Sequence, residues 1–310
     1  MKIAFLGTPV FAGELLRLLS KDTNLTVSYV ITRPDKPVGR KKILTPSAVS
    51  HTAKELGLPV YFDLRVLKEK PVDLAILFAF GVIIPQWALL SPKHGFWNVH
   101  PSHLPHYRGA SPIAFPLLLG DASSAVTLIQ MDEELDHGGI IKTSFLPFSR
   151  EDTRADIENK VPAIANRLIL KALLELKRNG HIQAKPQNHS DATYTRLIQK
   201  NDGYIPYSLL QKALCGHNAS ASEYIAPLKY WYSRNSLPAP PSRDAAELVR
   251  SAYRALYGWP GLWTKVPIHG QERRLKIVAL DLTKPGCCIT HVQLEGKNPV
   301  PFQTFLKVYL

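Results

Sequence analysis

The runs VDLAILFAF at residues 72–80 and FWNVH at residues 96–100 are short and almost unbroken in apolar side chains. A strand with one wet face alternates polar and apolar residues, whereas a strand covered on both faces, as in a parallel sheet between helices, does not. Similar runs occur at Lys2–Leu6 and Thr26–Ile31. Between them, Gly13–Leu19 places Leu15, Leu16, Leu18 and Leu19 with helical spacing, and Ser47–Leu56 repeats a helical pattern. Strands alternating with helices predict a doubly wound α/β domain with a mostly parallel sheet. Two more strands are expected at Ala125–Met131 and Ile140–Phe148, then an amphipathic helix from Asp152 to Arg178 capped by Asp152 or Thr153.

A chain of 310 residues exceeds the usual size of one hydrophobic core, which favours two domains. The polar, turn-rich stretch QAKPQNHSDATYTRLIQKNDGY at residues 183–204 reads as the connection. The expected organisation is a Rossmann-like domain over 1–186, a linker over 187–205 and a smaller C-terminal domain over 206–310. The last of these carries a helix near Asp244–Leu256 and alternating runs at Leu262–Val266, Leu275–Leu282 and Ile289–Leu294. Those runs predict a β-rich, OB-like barrel.

The formal net charge is +13, and from Lys185 onward sixteen Lys and Arg stand against eight Asp and Glu. Such a surface attracts polyanions, so nucleic acid is a reasonable partner. Cys215, Cys287 and Cys288 form no CxxC pair and are odd in number, which argues against a disulfide framework or a zinc site and for a reducing, cytoplasmic setting. No apolar stretch is long enough to span a membrane, and the opening MKIAFLGTPVF is too short for a secretory core.

The densest chemical signal is NVHPSHLPHYRGASPI at residues 98–113, which begins at the end of a predicted strand, where open α/β sheets hold their ligands. Asn98 and His100 are two apart, so a strand puts both on one face. Downstream, QMDEELDHGGI at residues 130–140 offers Asp136 before a Gly138–Gly139 turn at a second strand end. Singly, His100 reads as a structural histidine and Asp136 as a turn residue; together, at two strand ends, they point to an active site. His94, His100, His103 and His106 lack a thiolate or carboxylate companion in the same turn, so no metal is expected. GTPVFAG at residues 7–13 is not the dinucleotide fingerprint, which argues against a nicotinamide cofactor. HPSHL at residues 100–104 lacks a nucleophile elbow.

These residues resemble the formyltransferases that use 10-formyltetrahydrofolate. The shared signature is an Asn-x-His at a strand end, a following Ser-x-Leu-Pro turn and a later loop Asp, matched here by Asn98, His100, Ser102-His103-Leu104-Pro105 and Asp136. IAFLGTPVFA at residues 3–12, RPDKPVGRKK at 33–42, VTLIQMD at 126–132, LVRSAYRALYGWPGLWTKV at 248–266 and VQLEGKNPV at 292–300 are similar to the branch that formylates methionyl-tRNA. His103 stands where that branch usually has Leu, Phe80 where Tyr is common, and 206–243 is longer than typical.

The resemblance implies 10-formyltetrahydrofolate as co-substrate, initiator methionyl-tRNA as acceptor and no obligate protein partner. Asn98, His100 and Asp136 become the catalytic set. Phe80, Gly81, Val82, Ile83, Ser102, His103, Leu104, Pro105 and Gly138 become the folate contacts. Arg33, Lys36, Arg40, Lys41 and Lys42 become tRNA contacts on an extended, Pro- and Gly-containing loop. An amine attacking a formyl carbon creates an oxyanion and an ammonium, so a site for this chemistry needs donors for the first and an acceptor for the second. The imidazolium of His100 and the Asn98 amide are read as the donors, and Asp136 as the holder of the imidazole and the acceptor. Gly81 suits a backbone that approaches a flat heterocycle closely.

Two rival readings remain at this stage. One is a formyltransferase acting on an amino-sugar nucleotide or glycinamide ribonucleotide; the other is a non-catalytic RNA-binding protein on the same scaffold. Trp231, Tyr232, Trp259 and Trp263 are read as core residues before stacking platforms.

Overall fold

The computed structural model describes residues 1–38 and 43–309. Its central sheet has seven strands: β1 (Lys2–Gly7), β2 (Thr26–Ile31), β3 (Val60–Tyr61), β4 (Leu74–Phe78), β5 (Phe96–His100), β6 (Ser123–Gln130) and β7 (Ile140–Pro147). Their order is β7-β6-β5-β4-β1-β2-β3. The pairs β1–β2, β1–β4, β2–β3 and β4–β5 are parallel, and β5–β6 is antiparallel. Every residue of β4 and β5 is buried, the apolar run of β4 and, in β5, the polar Asn98 and His100 with the apolar residues. One core layer gathers Ala4, Leu6, Tyr29, Ile31, Ala75, Leu77 and Phe96 with Phe80 and Ile84.

Two compact units emerge. The first comprises 1–108, 125–146 and 158–192; the second comprises 109–124, 147–157 and 193–310. The passage from residue 192 to 193 falls within the expected connection over 187–205, and two earlier stretches, 109–124 and 147–157, belong with the second unit. Residues 109–124 join the second unit because the helix Ala114–Leu119 buries Phe115, whose ring lies 5.6 Å from that of Trp231. Residues 147–157 join it because Arg254 donates to the carbonyls of Asp152 and Ser149, each at 2.8 Å. Thr153 caps the helix Arg154–Asn179 reciprocally with Asp156: the Thr153 amide donates to the Asp156 carboxylate at 2.8 Å and the Asp156 amide to Thr153 Oγ1 at 3.4 Å.

The expected linker is folded chain. Gln187, Thr195, Ile198 and Asp202 are buried, and Arg196 grips Asp202 with two hydrogen bonds of 2.6 and 2.8 Å. A polar sequence goes inside when its polar groups find partners, which composition alone does not reveal. The segment 206–243 carries two helices, Tyr207–Cys215 and Ala226–Arg234, and Trp231 is core.

The second unit also holds an antiparallel sheet of β8 (Leu262–Ile268), β9 (Gln271–Leu280), β10 (Ile289–Leu294) and β11 (Val300–Pro301). Its order is β8-β9-β10-β11, the β-rich C-terminal region expected, and Tyr204 adds a parallel bridge to Trp263 of β8. Val266, Ile268, Leu275, Val292 and Leu294 pack against Phe302 and Phe305 of the helix Phe302–Tyr309. No helix of the described residues is long and apolar enough to cross a membrane.

Burial pushes the Cys287 thiol up to about 12, with Cys288 beside it adding to the effect, whereas Cys215 is exposed. The thiolate is the reactive form. Brief iodoacetamide treatment of the native protein near pH 8, read by peptide mass spectrometry, is expected to label Cys215 and spare Cys287 until denaturant is added.

Candidate active site

The site grows from β5. Alternation along the strand puts Asn98 and His100 on the same face, and both are buried. The strand is fixed sideways by Trp97, fully buried, whose indole N–H donates to Gln130 Oε1 of β6 at 2.9 Å. A buried indole needs such a partner, and Gln130 supplies it while its own amide nitrogen donates to the carbonyls of His94 and Phe96 at 3.4 and 3.3 Å.

Asp136 arrives from the loop between β6 and β7. Its backbone is left-handed, with φ of 51°, a region that non-glycine residues enter rarely. Its Oδ1 accepts from Asn98 Nδ2 at 3.2 Å and lies 3.5 Å from His100 Nδ1. One carboxylate oxygen therefore addresses both β5 side chains, and the His100 and Asp136 side chains are 5% and 10% exposed, so little water dilutes the contact. The three residues named from the sequence come together.

The other ring nitrogen, His100 Nε2, donates to the Tyr107 carbonyl at 3.0 Å. Oxygen acceptors thus face both nitrogens, an arrangement that a doubly protonated ring satisfies in full. The donor read as serving the oxyanion rests here on the Tyr107 carbonyl. The loop carrying Tyr107 is itself pinned. Ser102 Oγ donates to the His106 carbonyl at 2.7 Å, and Thr127 of β6 donates to the Ser102 carbonyl at 2.7 Å.

The expected folate contacts divide by burial. Phe80, Ser102 and Leu104 are buried; Phe80 belongs to the apolar core layer and Ser102 is held by the bond just described. Val82 and Ile83 are 45% and 90% exposed at the carboxyl end of β4, and His103 is exposed with Pro105 half-buried. Gly81 has φ of +72°, so its local backbone already calls for glycine without reference to any ligand. Gly138 is different: a Cβ there would overlap the Gln130 carbonyl, so the loop can pass β6 this closely only without a side chain.

Of the basic loop, Arg33 and Lys36 are described, while Arg40, Lys41 and Lys42 lie outside the described residues. The flanks pair antiparallel, Lys36–Val38 against Ile43–Thr45, and the register sets Lys36 opposite Thr45 and Pro37 opposite Leu44. The Arg33 guanidinium lies beside Gly81, Nη1 being 3.4 Å from where a Cβ would stand.

Sequence reasoning does not single out Arg108, Gln187 or His189. Arg108 is 1% exposed and donates through Nε and Nη2 to Gln187 Oε1 at 3.2 and 2.7 Å, and through Nη2 to His189 Nδ1 at 2.8 Å. Gln187 Nε2 in turn donates to the carbonyls of Asp136 and Gly138 at 2.9 and 2.7 Å. The His189 ring stacks on His137 at 3.8 Å, and His137 Nδ1 donates to Asp132 at 2.6 Å. Gln187 reaches this loop because Lys185 pairs with Ile140 at the start of β7, by backbone bonds of 2.7 and 2.8 Å. That pairing is the missing signal, and a polar stretch after a helix does not announce it.

An open α/β sheet with a buried amide, imidazole and carboxylate converging at the carboxyl end of a middle strand defines an α/β scaffold with a polar cluster where such sheets hold ligands. A family profile described as formyl transferase matches residues 1–173. The methionyl-tRNA formyltransferase of Marinobacter nauticus is 34% identical over 294 residues, 92% of this chain and 81% of that protein. That of Methylobacillus flagellatus is 37% identical over 216 residues, 67% of this chain and 70% of its own. The chain belongs to the formyl transferase family, among the methionyl-tRNA formyltransferases. Solved structures share its fold at low identity. The N-formyltransferase of Helicobacter canadensis, solved with folinic acid and dTDP-3-aminofucose, has a TM-score of 0.59 at 19% identity, covering 90% of this chain and 86% of that one. HypX from Aquifex aeolicus, solved with tetrahydrofolic acid, has a TM-score of 0.57 at 16% identity, covering 99% of this chain and 47% of that one.

Proposed function

We propose that this protein transfers the formyl group of 10-formyltetrahydrofolate to the α-amino group of initiator methionyl-tRNA, with Asn98, His100 and Asp136 as the reacting cluster. The observation that carries the reading is the single Asp136 oxygen shared by Asn98 at 3.2 Å and His100 at 3.5 Å, deep at the end of β5.

The folate supplies the activated formyl carbon; the protein's own residues supply the rest. Asn98 gives one amide hydrogen to Asp136 and keeps the other for the oxygen on which negative charge develops. The His100 Nε2–H passes from the Tyr107 carbonyl to that same oxygen, a stronger acceptor once charged. Asp136 holds the imidazole and takes the proton that the attacking amine must lose, directly or through water; the proton passes to the donor nitrogen as its bond to the formyl carbon breaks and tetrahydrofolate leaves. No covalent enzyme intermediate is needed, since the formyl group passes between two nitrogens.

The chain offers a fitting place for a flat heterocycle. Val82 and Ile83 present exposed apolar surface beside the cluster's strand, and the Thr8 hydroxyl donates to the Phe80 carbonyl at 2.9 Å, fixing the loop that carries them. The backbone of Phe80 and Gly81, the turn Ser102–Pro105 and Gly138 complete the proposed folate contacts.

For the acceptor, Arg33, Lys36, Arg40, Lys41 and Lys42 are proposed phosphate contacts. The C-terminal sheet adds a second basic surface. Register pairs Trp263 with Lys276 and Lys265 with Arg274, and Arg274 stacks over Trp263 at 4.2 Å, all on the face opposite buried Leu275 and Ile277. A sugar nucleotide needs no such strip, so it favours tRNA over the amino-sugar acceptors that the structural neighbours raise. The reaction as proposed runs in the cytoplasm and needs no protein partner.

Replacing Arg274 and Lys276 together by Ala is expected to raise the KM for methionyl-tRNA roughly 10-fold, leave kcat unchanged and lower the slope of log affinity against log salt by about 2. An unchanged slope would remove this strip from the tRNA footprint. For the function itself, the test is formyl transfer to methionyl-tRNA compared with transfer to an amino-sugar nucleotide, with 10-formyltetrahydrofolate as donor in both.

A further inference from the structure

We propose that Gln187, locked by Arg108 and His189, is the positioning residue that sets Asp136 for reaction; the inference rests on the reading of Asp136 as catalytic. Gln187 has four hydrogen-bonding positions, two N–H groups and two lone pairs, and the structure uses all of them. Its N–H groups hold the carbonyls of Asp136 and Gly138 at 2.9 and 2.7 Å, and its oxygen takes Nε and Nη2 of Arg108 at 3.2 and 2.7 Å. Arginine can only donate, so it admits the oxygen end of the amide and rejects the nitrogen end. Arg108 therefore dictates which way Gln187 points.

The same logic fixes His189. Its Nδ1 accepts from Arg108 at 2.8 Å, and its ring lies parallel to His137 within 4°, bracing the residue next to Asp136 from the side. The device clamps the backbone before and after His137 while the left-handed Asp136, φ 51°, remains the one unusual conformation between them. Such a conformation persists only where its surroundings over-determine it.

The consequence reaches the reacting atoms through geometry. The Asp136 carboxylate stands 3.2 Å from Asn98 Nδ2 and 3.5 Å from His100 Nδ1, at the outer limit of useful contact. Little displacement is tolerated before both are lost, and a misplacement of about 1 Å at a reacting centre costs on the order of 100-fold in rate. The clamp touches no proposed tRNA contact, so its loss is expected in kcat with little change in the KM for methionyl-tRNA; through Gly138 it also steadies a proposed folate contact.

A double-mutant cycle in single-turnover formyl transfer tests this. Gln187→Met keeps the side-chain length and removes every polar atom; Gln187→Asn keeps the amide but draws it back, and is the variant to read if the first does not fold. Either is expected to lower the rate of transfer about 10- to 100-fold, with KM for methionyl-tRNA within about 3-fold of wild type. In an Asp136→Ala background the same change is expected to lower the residual rate by less than about 2-fold, because nothing is left to position. Equal losses in both backgrounds would make Gln187 a general structural residue and overturn the proposal, as would an unchanged rate in the single variant while Asp136→Ala is inactive. Wild-type activity in Asp136→Ala would instead show that the catalytic reading had failed, whatever Gln187 does.

Discussion

Asp136→Ala is expected to lower kcat for formyl transfer by about 1,000-fold or more while leaving affinity for methionyl-tRNA within about 3-fold. The size follows from its shared role. Removing the carboxylate withdraws the common partner of Asn98 and His100, bonded at 3.2 Å and paired at 3.5 Å, and also the proposed acceptor of the amine's proton. Three functions fail in one substitution. Asp136→Asn separates them: it retains an oxygen that can accept from Asn98, but it carries no charge to hold an imidazolium and no basicity to take a proton. Its rate is expected to lie close to that of the Ala variant. An Asn variant near wild type would assign Asp136 a purely geometric part.

His100→Ala is the second large effect, on the order of 100- to 1,000-fold in kcat, the usual cost of removing one oxyanion donor. His100 is 4% exposed and its two nitrogens bind Asp136 and the Tyr107 carbonyl, so the substitution also removes both of those contacts. His100→Asn and His100→Gln restore a donor without a charge. If the ring acts as a charged donor, neither recovers more than a few per cent of the rate; full recovery by either would reduce its role to hydrogen bonding alone.

The parts of this site that were legible in the sequence are those governed by local periodicity. Asn98 and His100 lie two apart in an apolar run, and a strand leaves them no option but a common face. Asp136 stood out because it precedes a Gly-Gly turn at a strand end, and Gly138 proves sterically required where the loop passes Gln130. The central sheet was readable for the same reason, since β4 is apolar throughout, β5 is apolar but for Asn98 and His100, and both are buried throughout.

What stayed hidden depends on pairings distant in the chain. Arg108 and Gln187 are 79 positions apart, and both are hydrophilic residues in stretches whose composition suggests surface. Their burial becomes intelligible only once Lys185 is seen paired with Ile140, which carries the polar segment over the Asp136 loop. The unit boundaries were hidden in the same manner, because Phe115 and the carbonyls of Ser149 and Asp152 find their partners around Trp231 and Arg254. Gly81 shows the opposite hazard: its identity suggested a ligand, and its φ of +72° supplies a sufficient reason without one.

The central claim is that the Asp136 carboxylate organises Asn98 and His100 for transfer of a formyl group to methionyl-tRNA. The most direct measurement is a single-turnover reaction of the purified protein with 10-formyltetrahydrofolate and methionyl-tRNA, followed by mass analysis of the released amino acid, run beside Asp136→Ala. Formylmethionine accumulating with the wild-type protein and held at background with the variant is the predicted result. Unmodified methionine from the wild-type reaction, or formylmethionine at equal rates from both proteins, would contradict it.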